Sequence, residues 1–137
     1  MQVEPYLNFN GRAEEAIAFY KKALGAEVQM LMRNSESPDP HPPGMVPPGS
    51  ENKVLHASLK VGDSRIMLSD GQCQGSPNFQ GINLSLTVRT TAEADRFFAA
   101  LAEGGQVHMP LTKTFFSPKF GMLADKFGVH WMIVVQH

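Results

Sequence analysis

The chain has 137 residues, of which 42% are hydrophobic and 18% are charged, and its formal net charge at pH 7 is -1. This length and composition are typical of one globular domain, and the near-neutral charge disfavours a nucleic-acid partner. The single cysteine excludes an internal disulfide. The start MQVEPYLNF lacks the features of a signal peptide, and no apolar run reaches the roughly 20 residues of a membrane helix. We therefore expect a cytoplasmic protein with no membrane partner.

The first predicted element is a strand at residues 4–9. Apolar and polar side chains alternate along it, which places Leu7 and Phe9 on one face and Tyr6 and Asn8 on the other. The apolar pair is typical of a face that packs against a helix. The polar pair should therefore lie on the opposite face of the sheet.

A helix is predicted next, in the stretch AEEAIAFYKKALGAEV at residues 13–28. Gly11 and Glu14 occupy the places of a capping box at its start, and Gly25 supplies the left-handed residue that ends it. Apolar residues recur at helical spacing and form a stripe that should cover the sheet. The stripe consists of Ala16, Ile17, Tyr20 and Leu24.

Three strands follow the helix, at residues 27–33, 53–61 and 64–69. Gly62 and Asp63 form a two-residue hairpin signal between the last two strands. The stretch 35–52, between the first two, contains six of the ten prolines of the chain. Because proline cannot donate a ladder hydrogen bond, this stretch is predicted to be a loop.

The same series of elements recurs in the second half of the chain. Residues 92–107, AEADRFFAALAEGGQV, match 13–28 without a gap at a constant offset of 79. A strand at 83–88 precedes this second helix, and Thr90 with Glu93 forms its capping box. The helix has the apolar stripe Ala94, Phe97, Phe98 and Leu101, and strands follow it at 106–114, 120–124 and 130–135. We therefore predict one α+β domain, 1–137, built from tandem βαβββ units at about 1–75 and 80–137.

Three stretches carry a resemblance to a known family: AEEAIAFYKKALGAE, KVLHASLKVGDSRIMLSD and FGMLADKFGVHWMIV. With the tandem units, they resemble the PhnB-like branch of the vicinal-oxygen-chelate superfamily. Glyoxalases, extradiol dioxygenases and the bleomycin- and fosfomycin-resistance proteins belong to the same superfamily. The resemblance spans nearly the whole chain. It implies one curved mixed sheet with the helices on the convex side, a ligand cavity on the concave face, and a homodimer.

Enzymes of this superfamily bind a divalent metal through His and Glu side chains of the first and last strand of each unit. The resemblance places these positions at Glu4 (or Pro5, in a register shifted by one), Met67, Asn83 and Met132. One carboxylate, one amide and two thioethers do not supply the roughly three oxygen or nitrogen ligands that a hard metal needs. We therefore expect no metal and no other cofactor, which disfavours glyoxalase and dioxygenase activity.

Members of this branch are sometimes labelled as ubiquinone-pathway methyltransferases. An ordinary methyltransferase binds its nucleotide cofactor at a glycine-rich loop between a strand and a helix. No G-x-G-x-x-G fingerprint follows any predicted strand of this chain. The sequence therefore disfavours methyl transfer.

The concave face is predicted to bind a small-molecule ligand. Strand alternation places His56 and Ser58 on it, and His56 is either a general base or a histidine that bonds a neighbouring strand. Methionines on this face either fill the core or form an adaptable wall for an apolar or aromatic ligand. Phe116 either stacks on a planar ligand or closes the core. The predicted pocket residues are Tyr6, Asn8, Met30, Met32, His56, Ser58, Met67, Ser69, Asn83, Ser85, Phe116 and Met132.

Two residues near the end of the chain are interpreted as structural. In the stretch ADKFGVHW, Gly128 permits a tight turn between two strands, and Asp125 can accept hydrogen bonds from the backbone amides of that turn. Trp131 should face the helix and belong to the core.

Three functions remain open. The first is a metal-independent small-molecule binding protein, which the mixture of thioether and polar side chains favours. The second is a lyase or isomerase-type enzyme that uses His56 as an acid–base group. The third is a drug-sequestering resistance protein, which the absence of an acidic bias disfavours.

Overall fold

The computed structural model describes residues 1–38, 48–71 and 75–136. The chain divides into two compact units, Met1–Pro77 and Asn78–His137. Within the described residues, each unit has a strand, a helix and three further strands, in that order. The predicted α+β fold of tandem βαβββ units is therefore confirmed. Half of the proline-rich loop predicted at 35–52, residues 39–47, lies outside the described residues.

The strands and helices lie close to their predicted positions. Unit one contains β1 (Tyr6–Asn8), α1 (Ala13–Leu24), β2 (Glu27–Arg33), β3 (Val54–Val61) and β4 (Ser64–Ser69), with a 3-10 turn at Asn34–Glu36. Unit two contains β5 (Leu84–Val88), α2 (Thr91–Ala102), β6 (Gln106–Thr112), β7 (Phe120–Ala124) and β8 (His130–Val135). No helix in the described ranges has the length and apolar character needed to cross a membrane.

Both units use the same strand order. Sheet one runs β1-β4-β3-β2 and sheet two runs β5-β8-β7-β6. The first and last strand of each unit pair in parallel, and all the other pairs are antiparallel. A parallel pair needs a long connection, which the helix and the two middle strands provide. Each unit therefore has one sheet face that its own helix covers and one that we call its helix-free face.

The helix-covered faces form the cores of the units. In unit one, the predicted stripe of α1 is buried, and Phe9 and Tyr20 are fully buried with their ring centroids 6.4 Å apart. Burial of such a side chain contributes about 1.5–3 kcal/mol. In unit two, α2 packs against all four strands, and Phe98 lies over Gly121, where a Cβ would be 2.7 Å from its ring. A glycine on β7 therefore makes room for the helix.

The start of α1 differs from the prediction of a capping box. Its N-cap residue is Arg12, which makes no side-chain capping bond, and Glu14 instead bonds Arg33. The cap comes from Asp70, directly after β4, whose Oδ1 accepts hydrogen bonds from the backbone N–H groups of Gly11 and Ala13, both at 2.8 Å. A carboxylate also interacts favourably with the positive end of the helix dipole. The capping group is therefore remote in sequence, and the capping box predicted from Gly11 and Glu14 is wrong.

The second helix follows its sequence signals more closely. Thr90 is the N-cap residue, and its Oγ1 accepts a hydrogen bond from the backbone N–H of Glu93 at 3.1 Å. The predicted glycine stop is present near its end, where Gly104 has a φ of +75°. Gly25 plays the corresponding part in α1, with a φ of +67°.

The turn before β8 has the predicted structural aspartate. Oδ1 of Asp125 accepts hydrogen bonds from the backbone N–H groups of Phe127 and Val129, at 2.9 and 3.1 Å. Its Oδ2 accepts a hydrogen bond from the indole N–H of Trp131 at 3.0 Å. Asp125 is 3% exposed and Trp131 is 2% exposed, so the turn and the core are joined by one buried carboxylate.

Candidate ligand-binding face

The helix-free face of unit one carries a row of four side chains, one from each strand. Met30 is the Cα partner of Ser58, Ser58 is the partner of Met67, and Met67 is the partner of Tyr6. Side chains of paired residues project to the same side of a sheet. The row therefore crosses the whole sheet, with a hydroxyl between two thioethers and a phenol at one end.

A second row lies beside the first. Met32 is the Cα partner of His56, and Asn8 is the partner of Ser69. All eight pocket residues that were predicted in unit one thus share this face. The structure therefore brings together the polar handles and the methionines that the sequence placed there.

The phenol of Tyr6 and the imidazole of His56 form a direct contact between the two rows. Their ring centroids are 5.5 Å apart with an interplanar angle of 29°, and the Tyr6 Oη to His56 Nδ1 distance is 3.0 Å. Either the phenol donates to Nδ1, or a protonated Nδ1 donates to the phenol oxygen. In the second case, Nε2 of His56 is left free to accept a proton.

Ser58 is the unusual residue of the face. It is 6% exposed, and among the described residues its Oγ makes no hydrogen bond. A buried hydroxyl without a partner costs about 1–3 kcal/mol. Its neighbours in the row are the thioethers of Met30 and Met67, which are poor partners. The fold therefore keeps an unsatisfied hydroxyl at the centre of this face.

Asn8 and Ser69 satisfy one another. The hydroxyl of Ser69 donates to Oδ1 of Asn8 at 2.7 Å and accepts a hydrogen bond from the backbone N–H of Gly71 at 3.0 Å. This pair fixes the end of β4 against β1. Both residues lie on the predicted face, but their hydrogen bonds serve the sheet itself.

The predicted site residues of unit two are more scattered. Ser85 and Met132 are Cα partners on the helix-free face, whereas Asn83 is exposed and precedes β5. Phe116 lies between β6 and β7, is 44% exposed, and packs edge-on against Phe120 at 5.0 Å between centroids. Phe116 therefore belongs to an aromatic cluster of this loop.

Sequence reasoning missed two methionines of unit two. Met109 is the Cα partner of Met122, and Met122 is the partner of Met132, so three thioethers lie in one row. A bulge between Val107 and Met109 breaks the alternation of β6. The available signal was the matching position of Met30 in the first copy, 79 residues earlier.

An ion pair stands at the edge of sheet one. Nε and Nη2 of Arg65 donate to the two carboxylate oxygens of Glu4 at 3.0 and 2.6 Å, and this hydrogen bonding lowers the pKa of Glu4 from its ordinary value. A polar cavity of about 560 Å³ adjoins the pair, and its lining includes Gln29 and Lys60. The cavity thus lies at one end of the sheet, beside this ion pair, and His56 does not line it.

The residues at the superfamily's metal positions do not fit a hard metal ion. In unit one, Arg65 engages both oxygens of Glu4, and Met67 stands opposite Tyr6. In unit two, the positions hold the amide of Asn83 and the thioether of Met132. The described part of the chain contains no cluster of three His, Cys, Asp or Glu side chains that could hold a metal. The donor types are therefore wrong for metal-dependent chemistry of the superfamily kind.

The fold of this chain is also found in solved structures of low sequence identity. It is that of the vicinal-oxygen-chelate superfamily, and FosX, a fosfomycin-resistance protein from Listeria monocytogenes, shares it with a TM-score of 0.68. FosX is 9% identical to this chain, and the match covers 100% of this chain and 94% of that chain. At this identity the likeness shows the fold alone.

The chain belongs to the family whose model is described as 3-demethylubiquinone-9 3-methyltransferase, which matches residues 1–134. Protein YjdN of Escherichia coli is 36% identical over 98% of this chain and 95% of its own length. The crystal structure of protein PA1353 from Pseudomonas aeruginosa is 39% identical, with a TM-score of 0.85 over 99% of this chain and 98% of that chain. A PhnB protein from Bacillus cereus is 31% identical, with a TM-score of 0.77 over 98% and 99%.

The methyltransferase description of the family implies a nucleotide cofactor, which the residues after β1 do not fit. This connection is Phe9 to Arg12, and the backbone N–H groups of Gly11 within it and of Ala13 at the start of α1 are bonded to Asp70. A helix N-terminus that already holds a carboxylate cannot receive an anionic cofactor group in the usual way. Among the described strands, each sheet also contains one parallel pair, unlike a doubly wound cofactor-binding sheet. The residues of this connection therefore do not support methyl transfer that depends on a nucleotide cofactor.

Proposed function

We propose that this protein binds a small molecule on the helix-free face of unit one and does so without a metal ion. The observation that carries the proposal is the buried hydroxyl of Ser58 between Met30 and Met67, which forms no hydrogen bond with any residue that the structure describes. A polar group of a ligand would satisfy this hydroxyl, and its apolar body would contact the thioethers. The expected ligand is a planar or aromatic molecule with one hydrogen-bonding group.

Other side chains of the face would orient such a ligand. The Tyr6–His56 pair presents ring faces and a polar edge, and Tyr6 is 46% exposed. Met32 beside His56 adds an adaptable apolar surface. A cationic drug is a poorer candidate, because the face has no carboxylate in these rows and Glu4 at the edge is already paired with Arg65. We also propose that the protein is a cytoplasmic homodimer. Light scattering of the purified protein would test whether it forms a dimer.

Methionine methyl groups allow the proposal to be tested. We would label the protein with methyl-13C methionine and titrate it with a fragment set of neutral and anionic phenols, benzamides and quinolines. At least one fragment should shift the methyl signals of Met30 and Met67 and leave those of Met109 and Met122 in place. The result that none of these fragments moves the unit-one signals would count against the proposal.

Substitution of Ser58 adds a sharper criterion. Ser58→Ala should weaken binding of that fragment by about tenfold, since about 1.4 kcal/mol corresponds to a factor of ten. It should not lower the free energy of unfolding, because the hydroxyl has no partner to lose. Ser85→Ala removes a serine hydroxyl from the helix-free face of unit two, and as the control it should leave the affinity unchanged. A loss of stability in Ser58→Ala would mean that the hydroxyl is bonded within the fold.

A second candidate function is acid–base catalysis by His56, which the hydrogen bond between Nδ1 and Tyr6 favours. With Nδ1 donating to the phenol oxygen, Nε2 could remove a proton from a carbon next to a carbonyl, and the electron pair would move onto the carbonyl oxygen. Return of the proton would complete an isomerisation or an exchange. The phenol would hold the imidazole in the required tautomer.

This candidate is tested by proton exchange. Incubation with 2-oxobutyrate and dihydroxyacetone in D2O should replace the protons next to the carbonyl, which is followed by loss of their proton NMR signals. His56→Ala should abolish the enzymatic exchange, and Tyr6→Phe should reduce it. Exchange at the rate of the buffer alone, or unchanged exchange in His56→Ala, would exclude this role for His56.

A further inference from the structure

Unit two presents three thioethers in a line. Met109, Met122 and Met132 occupy neighbouring strands as consecutive Cα partners on its helix-free face, and all three are half-buried. Adjacent strands are about 4.8 Å apart, so the two outer backbones lie about 10 Å apart. Methionine side chains are long and flexible, and the outer two can lean over the central Met122. The three sulfur atoms can therefore approach one point.

Two imidazoles stand next to this line. The rings of His108 and His130 stack with their centroids 5.4 Å apart and an interplanar angle of 16°. They meet across Ala124 of β7, which is the Cα partner of His130 and has too small a side chain to separate them. His108 lies in the bulge between Val107 and Met109, and a bulge re-aims a side chain. The bulge thus brings His108 beside His130.

We propose that this cluster of Met109, Met122, Met132, His108 and His130 binds a soft monovalent metal ion, Cu(I), for which Ag(I) is a probe. Thioether sulfur is a soft ligand that selects Cu(I), and imidazole binds copper well. The Cα partners of these residues on the neighbouring strands include no carboxylate. Hard cations, which prefer carboxylate oxygen, should therefore bind weakly there. The ion would be held by thioethers on one side and an imidazole on the other.

Unit one supplies a natural comparison for the cluster. Its corresponding row has Ser58 between Met30 and Met67, where unit two has Met122 between Met109 and Met132. The residue in its β2 bulge, between Val28 and Met30, is Gln29 rather than a histidine. Unit one therefore has the same backbone without the full set of soft ligands, and the methionines of unit one serve as internal controls.

The experiment is a titration of the full chain with Cu(I) under anaerobic conditions, in competition with a chromogenic Cu(I) chelator. Cys73→Ser is the background, so that the thiol does not contribute. In this background, we expect one Cu(I) per chain and shifts of the methyl-13C signals of Met109, Met122 and Met132, reproduced by Ag(I). Met122→Leu should lower the affinity at least tenfold, and Met67→Leu should not change it.

Two results would overturn the proposal. One is a Cu(I) affinity that Met122→Leu leaves unchanged, or metal-induced shifts that fall on Met30 and Met67 instead. The other is equally strong binding of Zn(II) that persists in Met122→Leu, which would mean a bare histidine pair. His130→Asn distinguishes the imidazole contribution: it should weaken Cu(I) binding while the Ag(I)-induced methyl shifts remain on the same three methionines.

Discussion

A single carboxylate after β4 joins three elements of unit one. Asp70 is 1% exposed, and besides capping α1 through Gly11 and Ala13 it accepts a hydrogen bond from the backbone N–H of Val54 at 2.8 Å. The carboxylate thereby binds the start of a helix and the start of β3 at once. Hydrogen bonds to a charged group contribute about 1.5–3 kcal/mol each. Asp70 should be among the most important polar residues for stability.

Removal of this carboxylate should be strongly destabilising. Asp70→Ala leaves three backbone N–H groups without their acceptor, so we expect the free energy of unfolding to fall by at least about 3 kcal/mol. Asp70→Asn keeps one oxygen and should lose roughly half as much. Asp63→Asn, in the exposed β3–β4 turn, is the control and should change the value by less than about 0.5 kcal/mol. Urea unfolding followed by circular dichroism measures all three, and equal effects of Asp70→Ala and Asp63→Asn would contradict this role.

The ion pair of Glu4 and Arg65 should make part of the stability pH-dependent. Hydrogen bonding to Arg65 lowers the pKa of Glu4 below 4.5, its ordinary value. A lowered folded-state pKa contributes stability above the unfolded value, and this stability is lost as the pH falls through the lower folded value. Wild-type protein should therefore be more stable than Glu4→Gln at pH 7, and the difference should shrink below pH 4.5.

The same comparison in an Arg65→Gln background isolates the pair. There the difference between Glu and Gln at position 4 should be small at every pH, because the hydrogen-bonded partner is gone. High salt should also reduce the difference, since the pair lies at the surface. A difference that is independent of both pH and Arg65 would assign the effect of Glu4 to packing instead.

Individual residues of the candidate face were predictable where strand alternation decides them. His56 and Ser58 alternate along β3 with Ala57 and Leu59, which have the opposite orientation and are fully buried on the helix side. The sequence could not indicate which polar side chains of this face form hydrogen bonds within the fold. The bond of His56 to Tyr6 and the lack of one at Ser58 depend on side chains that are distant in the chain.

At the scale of elements, two glycines near the ends of the helices act for different physical reasons. Gly25 has a φ of +67°, and a Cβ built on it would meet nothing within 4 Å. Gly105 would place a Cβ 2.2 Å from the carbonyl oxygen of Ala124. The first glycine is required by backbone conformation, the second by close approach of the backbone of β7.

The two alanine substitutions should therefore differ in cost. Gly25→Ala should lower the free energy of unfolding by about 1 kcal/mol, the usual penalty for a left-handed alanine. Gly105→Ala should cost about 3 kcal/mol, because backbone must move to accommodate the methyl group. Thermal unfolding of both variants provides the measurement. A Gly25→Ala variant as unstable as Gly105→Ala would show that space, rather than φ, limits the end of α1.

The elements were predicted well and their irregularities were not. Period-two alternation and the glycine signals located every strand, because they are local properties of the chain. The bulges at Val28–Met30 and Val107–Met109 depend on pairing with the next strand, so alternation alone could not show them. The stack of His108 with His130 was missed for that reason.

At the scale of the whole molecule, the repeat explains how one backbone can carry two different faces. Both units share strand order and the position of the β-bulge, yet the centre of the helix-free row is Ser58 in one and Met122 in the other. Helix-covered positions are constrained by core packing, whereas residues on the opposite face can change without altering the fold. The two faces are therefore free to bind different chemistry.

The prediction that residues 1–137 form a single domain can be tested through unfolding. A unit of roughly 60 residues buries only about 60% of its unfolded surface and is marginal alone, so we expect the two units to unfold together. Trp131 is the single tryptophan and lies in unit two, whereas both tyrosines, Tyr6 and Tyr20, lie in unit one. Fluorescence of Trp131 therefore reports unit two separately from the far-ultraviolet signal of the whole chain.

Asp70→Ala turns this difference into a test, because the substitution lies in unit one. If the chain unfolds as one domain, the urea midpoint seen by Trp131 fluorescence should fall as far as the midpoint seen by circular dichroism. The slopes of the two transitions should also agree, since each would report exposure of the same surface. A Trp131 transition that stays at its wild-type midpoint while the circular dichroism becomes biphasic would establish two independently folding units.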